Sequence, residues 1–230
     1  MRPSRSQYPG VIQAAGLSTR MGVLGSKVLL PYRGRPLLDH IVRTALASRL
    51  AEVIVVLGHE ADRVRRVLGE DARVRSVVNA EYALGRSTSI RAGLAAVGTA
   101  APGALFLLGD QPHMTADLID AVIGAAEAEE ARGAAGAPLV VAAFASAARE
   151  ANRAGIDEAA RANVKGNPVL FRRSLFEKLD ALRGDRGALD LIEALWDRAA
   201  RVPIEDPATQ TRIETPEDYD RLVAGDAAER

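Results

Sequence analysis

The 230-residue sequence contains no cysteine. That excludes disulfides, thiolate metal sites, iron–sulfur clusters and a cysteine nucleophile. Aromatic residues are scarce, at 4%, so the core must rest on aliphatic side chains. Basic and acidic residues balance at 30 each, leaving no basic excess of the kind that marks a nucleic-acid footprint. No apolar run approaches the ~18 residues of a membrane span. Met1 to Pro9 is short and polar, which reads as a disordered tail rather than a secretory signal. These absences point to a cytoplasmic protein with neither a nucleic-acid nor a membrane partner. Two glycine patterns are missing as well. No Gly-x-Gly-x-x-Gly follows the first apolar run and no Gly-Lys-Ser/Thr occurs, which counts against dinucleotide and P-loop chemistry. Lysine is rare: Lys27, Lys165 and Lys178 stand alone, and arginine carries the remaining positive charge.

Hydrophobic residues at 48% and charged residues at 26% are an ordinary globular balance, in a chain long enough for one sizeable core. Short apolar runs alternate with segments of helical spacing, which argues for βαβ units and a mostly parallel sheet. The reading is a single domain over 10–223, with tails over 1–9 and 224–230. Gly10 to Ala15 is the first strand. Val53 to Leu57, a continuous β-branched and leucine run, is a strand buried on both faces. Ala104 to Leu108 is the most apolar strand and belongs at the sheet centre. Pro36 suits the first position of a helix, Ser87 and Thr115 suit N-caps, and Thr215-Pro216-Glu217-Asp218 starts the last helix. Residues 145–165, rich in alanine and charge, read as an insertion or a lid.

The first strand runs into a loop carrying Gly16, Ser18, Arg20, Gly22, Gly25 and Lys27. Small residues let backbone N–H groups approach an anion, and Arg20 and Lys27 add charge. A phosphate-binding loop and a glycine-rich surface turn both fit. A lysine kept in this loop, in a chain that otherwise uses arginine, suits a compact point charge on phosphate.

In an open α/β sheet, ligands bind beyond the carboxyl ends of the strands. Three signals fall there: the opening loop, the stretch from Asn79 to Ser89, and Asp110. A carboxylate at the tip of the central strand can hold Mg²⁺, which takes one or two protein carboxylates and keeps its waters. A capping aspartate in the Gly109-Asp110-Gln111-Pro112 turn is the alternative. Glu214 is a second candidate metal ligand, or a solvated charge. A loop lysine paired with a distant carboxylate suits attack on a nucleotide α-phosphate.

These residues resemble a known family. Ala14-Ala15-Gly16-Leu17-Ser18-Thr19-Arg20-Met21-Gly22 with Lys27 is similar to the signature loop of the MobA-like nucleotidyltransferases, and Leu30 to Leu38 to its continuation. Ser87 to Leu94, Gly109-Asp110-Gln111-Pro112, Gly166 to Leu170, Gly184-Asp185-Arg186-Gly187 and Thr215 to Tyr219 resemble the molybdenum-cofactor cytidylyltransferase branch. The resemblance runs from about Gly10 to Leu222. It implies a three-layer Rossmann-like α/β fold and Mg²⁺-dependent transfer of CMP from CTP to a phosphate-bearing acceptor such as molybdopterin, releasing pyrophosphate. It implies nucleotide contacts at Gln13, Ala14, Ala15, Gly16, Ser18, Lys27, Asn79, Ser87 and Gly109. Arg20 and Lys27 would hold the triphosphate and Asp110 the metal, with Glu214 as its second contact. A molybdoenzyme or its chaperone is the partner this implies. The sequence departs from the family at Gln13, usually apolar, at Glu214, often aspartate, and over Phe144 to Lys165, a different stretch. Relatives also include NAD(P)H-dependent oxidoreductases of the nicotine-blue type. Other nucleotides and sugar-phosphate acceptors are the remaining alternatives.

Overall fold

The computed structural model describes residues 4–133, 136–143 and 165–228. The expected insertion or lid over 145–165 falls almost wholly outside them.

Nine strands are described: β1 (Gly10–Gln13), β2 (Pro31–Tyr32), β3 (Arg35–Pro36), β4 (Val53–Leu57), β5 (Val74–Val78), β6 (Gly103–Leu108), β7 (Leu139–Ala143), β8 (Lys165–Arg172) and β9 (Ala200–Pro203). The α-helices are α1 (Leu37–Ala47), α2 (Ala61–Arg65), α3 (Arg86–Ala96), α4 (Ala116–Ala131), α5 (Phe176–Asp180), α6 (Leu189–Ala194) and α7 (Pro216–Ala228). Seven strands form one sheet in the order β5-β4-β1-β6-β8-β7-β9. Strand β6 is its middle member, where its run of Ala104-Leu105-Phe106-Leu107-Leu108 places it. The strands β5, β4, β1 and β6 are parallel, β8 is antiparallel to β6 and β7, and β9 is parallel to β7.

Alternation along each buried strand builds two cores. On one face Ile12, Val53, Val55, Leu57, Leu105 and Leu107 pack with α1 and α4. On the other, Val11, Ile54, Val56, Ala104 and Phe106 pack with α3, α5 and α6. The result is the expected helix–sheet–helix sandwich. A third, smaller core joins Met21, Leu30, Tyr32 and Leu37 to Ile213 and Leu222. It fastens the loop after β1 to the C-terminal segment.

Several local expectations shift. The residues before Tyr8 are not all a loose tail: Tyr8 is 1% exposed, and Leu105 N–H donates to Pro9 O at 2.9 Å. A buried aromatic holds the segment down. Strand β1 ends at Gln13 rather than Ala15, and Lys27–Leu29 forms a 3₁₀ turn. Helix α1 begins one residue after Pro36. Helix α3 starts at Arg86, so Ser87 lies in its first turn and makes no side-chain cap. Thr115 does cap α4, accepting from Leu118 N–H at 3.3 Å. The last helix continues through 224–228, which were expected to be a tail. Its start is doubly capped: Asp218 N–H donates to Thr215 Oγ1, and Asp218 Oδ2 accepts from Glu214 and Thr215 N–H.

Candidate active site

The loop after β1 is closed by its own polar groups. Ser18 sits in the left-handed region, at φ 55°, and its Oγ accepts the Lys27 backbone N–H at 3.1 Å. That bond spans the loop and sets Lys27 opposite the tip of β6. Gly22 and Gly25 also have positive φ, which lets the intervening chain double back. Met21 is the buried anchor of this loop in the third core.

The C-terminal segment meets the same place. Ile213 N–H donates to Asp110 O at 3.1 Å, and the Ile213 side chain is fully buried. Its neighbours Arg212 and Glu214 both line the cleft.

A chain of alternating charges follows. Lys27 Nζ and Arg212 Nη2 both donate to Asp110 Oδ2, the latter at 3.2 Å. Arg212 Nη1 pairs with Glu214 Oε1 at 2.6 Å, and Glu214 Oε2 accepts from Arg20. Asp110 is only 4% exposed. Burial alone would raise its carboxyl; the Lys27 ammonium and the Arg212 guanidinium, with the hydrogen bonds they donate, outweigh burial and hold it below the usual carboxylate value. Three cations against two carboxylates leave the cluster an excess of positive charge. Arg20, with its side chain 56% exposed, is the cation most open to solvent.

This cluster forms one end of a cleft of about 870 Å³. Gln13, Ala14, Ala15, Gly16, Ser18, Arg20, Lys27, Asp110 and Glu214 all line it, so the structure brings these expected residues together. Tyr82, Gly85, Asp185 and Gly187 also face it. Gly85 has φ 115°, and a Cβ there would lie 2.8 Å from Gly184 O and from an Asp185 carboxylate oxygen. Ser87 N–H donates to Gly184 O at 3.1 Å. The loop over 184–187 thereby packs against the start of α3 and builds a wall of the cleft.

Asn79, Ser87 and Gly109 are not among the lining residues. Asn79 Nδ2 donates to Thr88 Oγ1 and Ser89 Oγ, and its Oδ1 accepts Glu81 N–H. It ties the β5–α3 loop together from within. Gly109 allows close passage of the ends of β1 and β6: a Cβ there would stand 3.0 Å from Gln13 O. Arg212 was not anticipated. Its one sequence signal is the two-residue spacing to Glu214 across an isoleucine.

The donor set suits a hard divalent cation. Asp110 Oδ1 is buried and has no hydrogen-bond partner, and Glu214 joins the same arginine. Among the described residues no group of three or more potential metal-ligating side chains occurs. Mg²⁺ and Mn²⁺ accept carboxylate oxygen and retain waters, so two carboxylates suffice. Among the described residues, no helix is long and apolar enough to cross a membrane.

A mostly parallel α/β sandwich, with a glycine-bearing loop and an acidic strand tip facing one cleft, is a nucleotidyltransferase-like fold. The chain belongs to the MobA-like NTP transferase domain family, whose model matches residues 10–200. The solved structure of a homologue of Mycobacterium tuberculosis Rv0371c, from Mycobacterium sp. strain JC1, is 30% identical. It covers 98% of this chain and 100% of its own, with a TM-score of 0.75. Rv0371c of M. tuberculosis H37Rv in complex with manganese is 26% identical over 95% of this chain and 99% of that one, with a TM-score of 0.71. Among curated proteins, the bifunctional protein GlmU of Ralstonia nicotianae is 37% identical over 116 residues, 50% of this chain and 25% of its own length. The chain thus spans about a quarter of the curated relatives it matches.

Proposed function

We propose that this chain is a divalent-metal-dependent nucleotidyltransferase that moves CMP from CTP to a phosphate-bearing acceptor and releases pyrophosphate. The observation that carries the reading is the meeting of Lys27, from the first loop, with Asp110, at the tip of the central strand, in one cleft. Family membership and the manganese complex of the Rv0371c relative support it. Molybdopterin is the acceptor we propose, on the resemblance of the sequence motifs, with a molybdoenzyme or its chaperone as recipient.

In this reading the loop from Gln13 to Ser18 encloses the nucleotide, and Arg20 and Lys27 lie against its phosphates. Asp110 and Glu214 would hold the cation, for which Mg²⁺ is proposed; bound, it neutralises charge on the triphosphate. Lys27 and Arg212 currently cover Asp110 Oδ2. An arriving triphosphate offers both cations an alternative anion, which frees the carboxylate. Charge building on the departing pyrophosphate meets Arg20 and Lys27, fixed in place before reaction. The acceptor phosphate is already anionic and needs no general base.

A thermal-shift panel tests this directly. CTP, GTP, ATP, UTP and NADPH are compared with and without Mg²⁺, because a ligand bound only by the native state raises stability. The largest rise is expected from CTP with Mg²⁺. A rise with NADPH alone, and none with any triphosphate, contradicts the proposal.

A further inference from the structure

The segment over 206–214 grips two strands at the cleft. It holds the tip of β6 through its backbone, where Ile213 N–H donates to Asp110 O. It holds β8 through one side chain. Gln210 Oε1 accepts Asn167 N–H at 2.8 Å, and Gln210 Nε2 donates to Asn167 O at 2.7 Å. A carboxamide carries both an acceptor and donors. Here it takes both main-chain groups of a single residue, as a paired residue of an antiparallel strand does.

Gln210 is itself held in place. It closes a 3₁₀ turn over Pro207–Gln210. Asp206 Oδ1 accepts Ala208 N–H, and the Thr209 hydroxyl donates to Asp206 O. Thr209 is buried, and Gln210 Nε2 also reaches Thr209 Oγ1 at 3.2 Å. Asn167, the residue it grips, lines the nucleotide cleft. Phe106 of β6 pairs with Val169 of β8. Leu108 and Asn167 each lie two residues beyond that pair, and both line the cleft. Among the described residues the Asn167 carboxamide makes no hydrogen bond, while its main chain makes two. The side chain therefore keeps its donor and acceptor for a ligand.

We propose that Asn167 is a substrate-contacting residue of the cleft and that Gln210 is its positioning residue. The contact, which rests on the transferase reading above, is made to a neutral group offering both a donor and an acceptor. That group has two possible sources: the nucleoside part of the nucleotide, or the body of the acceptor. Residues 206–214 hold Asn167 through Gln210 and Asp110 through Ile213. One short segment thus sets the spacing between the contact and the carboxylate at the strand tip. Gln210 lies beyond residues 10–200, which the family model matches, so family membership assigns it no role.

The test uses the full chain, with CTP, Mg²⁺ and molybdopterin as probes and pyrophosphate release as the readout. Asn167→Ala is expected to raise one KM by about three- to tenfold, the span of a neutral hydrogen bond, with kcat within about twofold. A raised CTP KM assigns the contact to the nucleotide; a raised molybdopterin KM assigns it to the acceptor. Gln210→Ala is expected to raise the same KM by no more than Asn167→Ala does. Added to Asn167→Ala, it should change that KM by less than about twofold, because it acts through the side chain already removed. Gln210→Glu keeps the acceptor for Asn167 N–H and loses the donor to Asn167 O. It should fall between wild type and Gln210→Ala, and it serves if Gln210→Ala folds poorly. Hydrogen exchange of the Asn167 amide needs no turnover and should quicken several-fold in Gln210→Ala. Unmoved KM values in Asn167→Ala, effects that multiply in the double variant, or an unchanged Asn167 amide in Gln210→Ala each overturn the proposal. Absence of pyrophosphate release by the wild type fails the transferase reading and the contact with it. Release by the wild type with both KM values unmoved in Asn167→Ala overturns this proposal alone.

Discussion

Lys27 and Asp110 stand 83 residues apart in the chain, yet their side chains form an ion pair in the wall of one cleft. Two independent devices bring them together. The Ser18 hydroxyl fixes the backbone of Lys27, and the parallel register of β1 and β6 sets Gln13 beside Leu108. The buried pair is a poor source of stability but a costly one to break, because removing one partner strands the other charge. Its value is in holding two reactive groups ready for a charged ligand.

Acid should weaken the fold through Asp110. Its carboxyl in the folded chain lies below the ordinary value. Such a group stabilises the fold above its unfolded value, near ~4, and the contribution disappears as pH falls through the folded value. The urea midpoint of the wild type is expected to drop between about pH 5 and pH 3 more steeply than that of Asp110→Asn. Parallel curves for the two proteins would remove Asp110 from the acid sensitivity.

Gly85→Ala should damage the cleft wall. The new methyl needs a left-handed φ and would meet Gly184 O and an Asp185 carboxylate oxygen at 2.8 Å. A loss of about 1–3 kcal/mol is expected, together with weaker CTP binding as the 184–187 loop is pushed out. Denaturant titration and calorimetry measure the two effects separately.

Met21→Ala tests how the loop is anchored. Met21 is 1% exposed and packs with Ile213 and Leu222. Truncation should cost about 2–4 kcal/mol and raise the nucleotide KM, because Arg20 and the Arg212–Glu214 segment lose their common support. An unchanged KM would show that Ser18 alone holds the loop.

Thr115→Ala is the contrasting case. It removes the N-cap of α4, at about 1 kcal/mol. Thr115 does not line the cleft, so CTP affinity measured by calorimetry should stay within about twofold of wild type, as expected for a site with no shared partners.

The architecture was legible wherever burial leaves a mark on composition. Val53 to Leu57 and Ala104 to Leu108 are apolar on both faces, and the structure buries both faces. The antiparallel direction of β8 leaves no such mark, because Val169-Leu170-Phe171 reads the same for either pairing. The helix start near Pro36 moved by one residue and that near Ser87 by two, since a cap depends on backbone angles that residue type only biases. At the site, the first loop and Asp110 were readable because both follow apolar strands. Arg212 was not, being one arginine among many, brought to Asp110 by the Ile213 backbone bond. Asn79 could not be placed either: a polar residue at a strand end can face a ligand or tie its own loop, and here its amide binds Thr88 and Ser89.

The most direct test of the central claim is calorimetric titration of CTP into wild type and Asp110→Asn, each with and without Mg²⁺. The account predicts tight, Mg²⁺-dependent binding by the wild type. In Asp110→Asn the Mg²⁺ dependence should vanish and pyrophosphate release should fall about 100-fold or more. Equal Mg²⁺-dependent CTP affinity in the two proteins, with turnover intact, would contradict it.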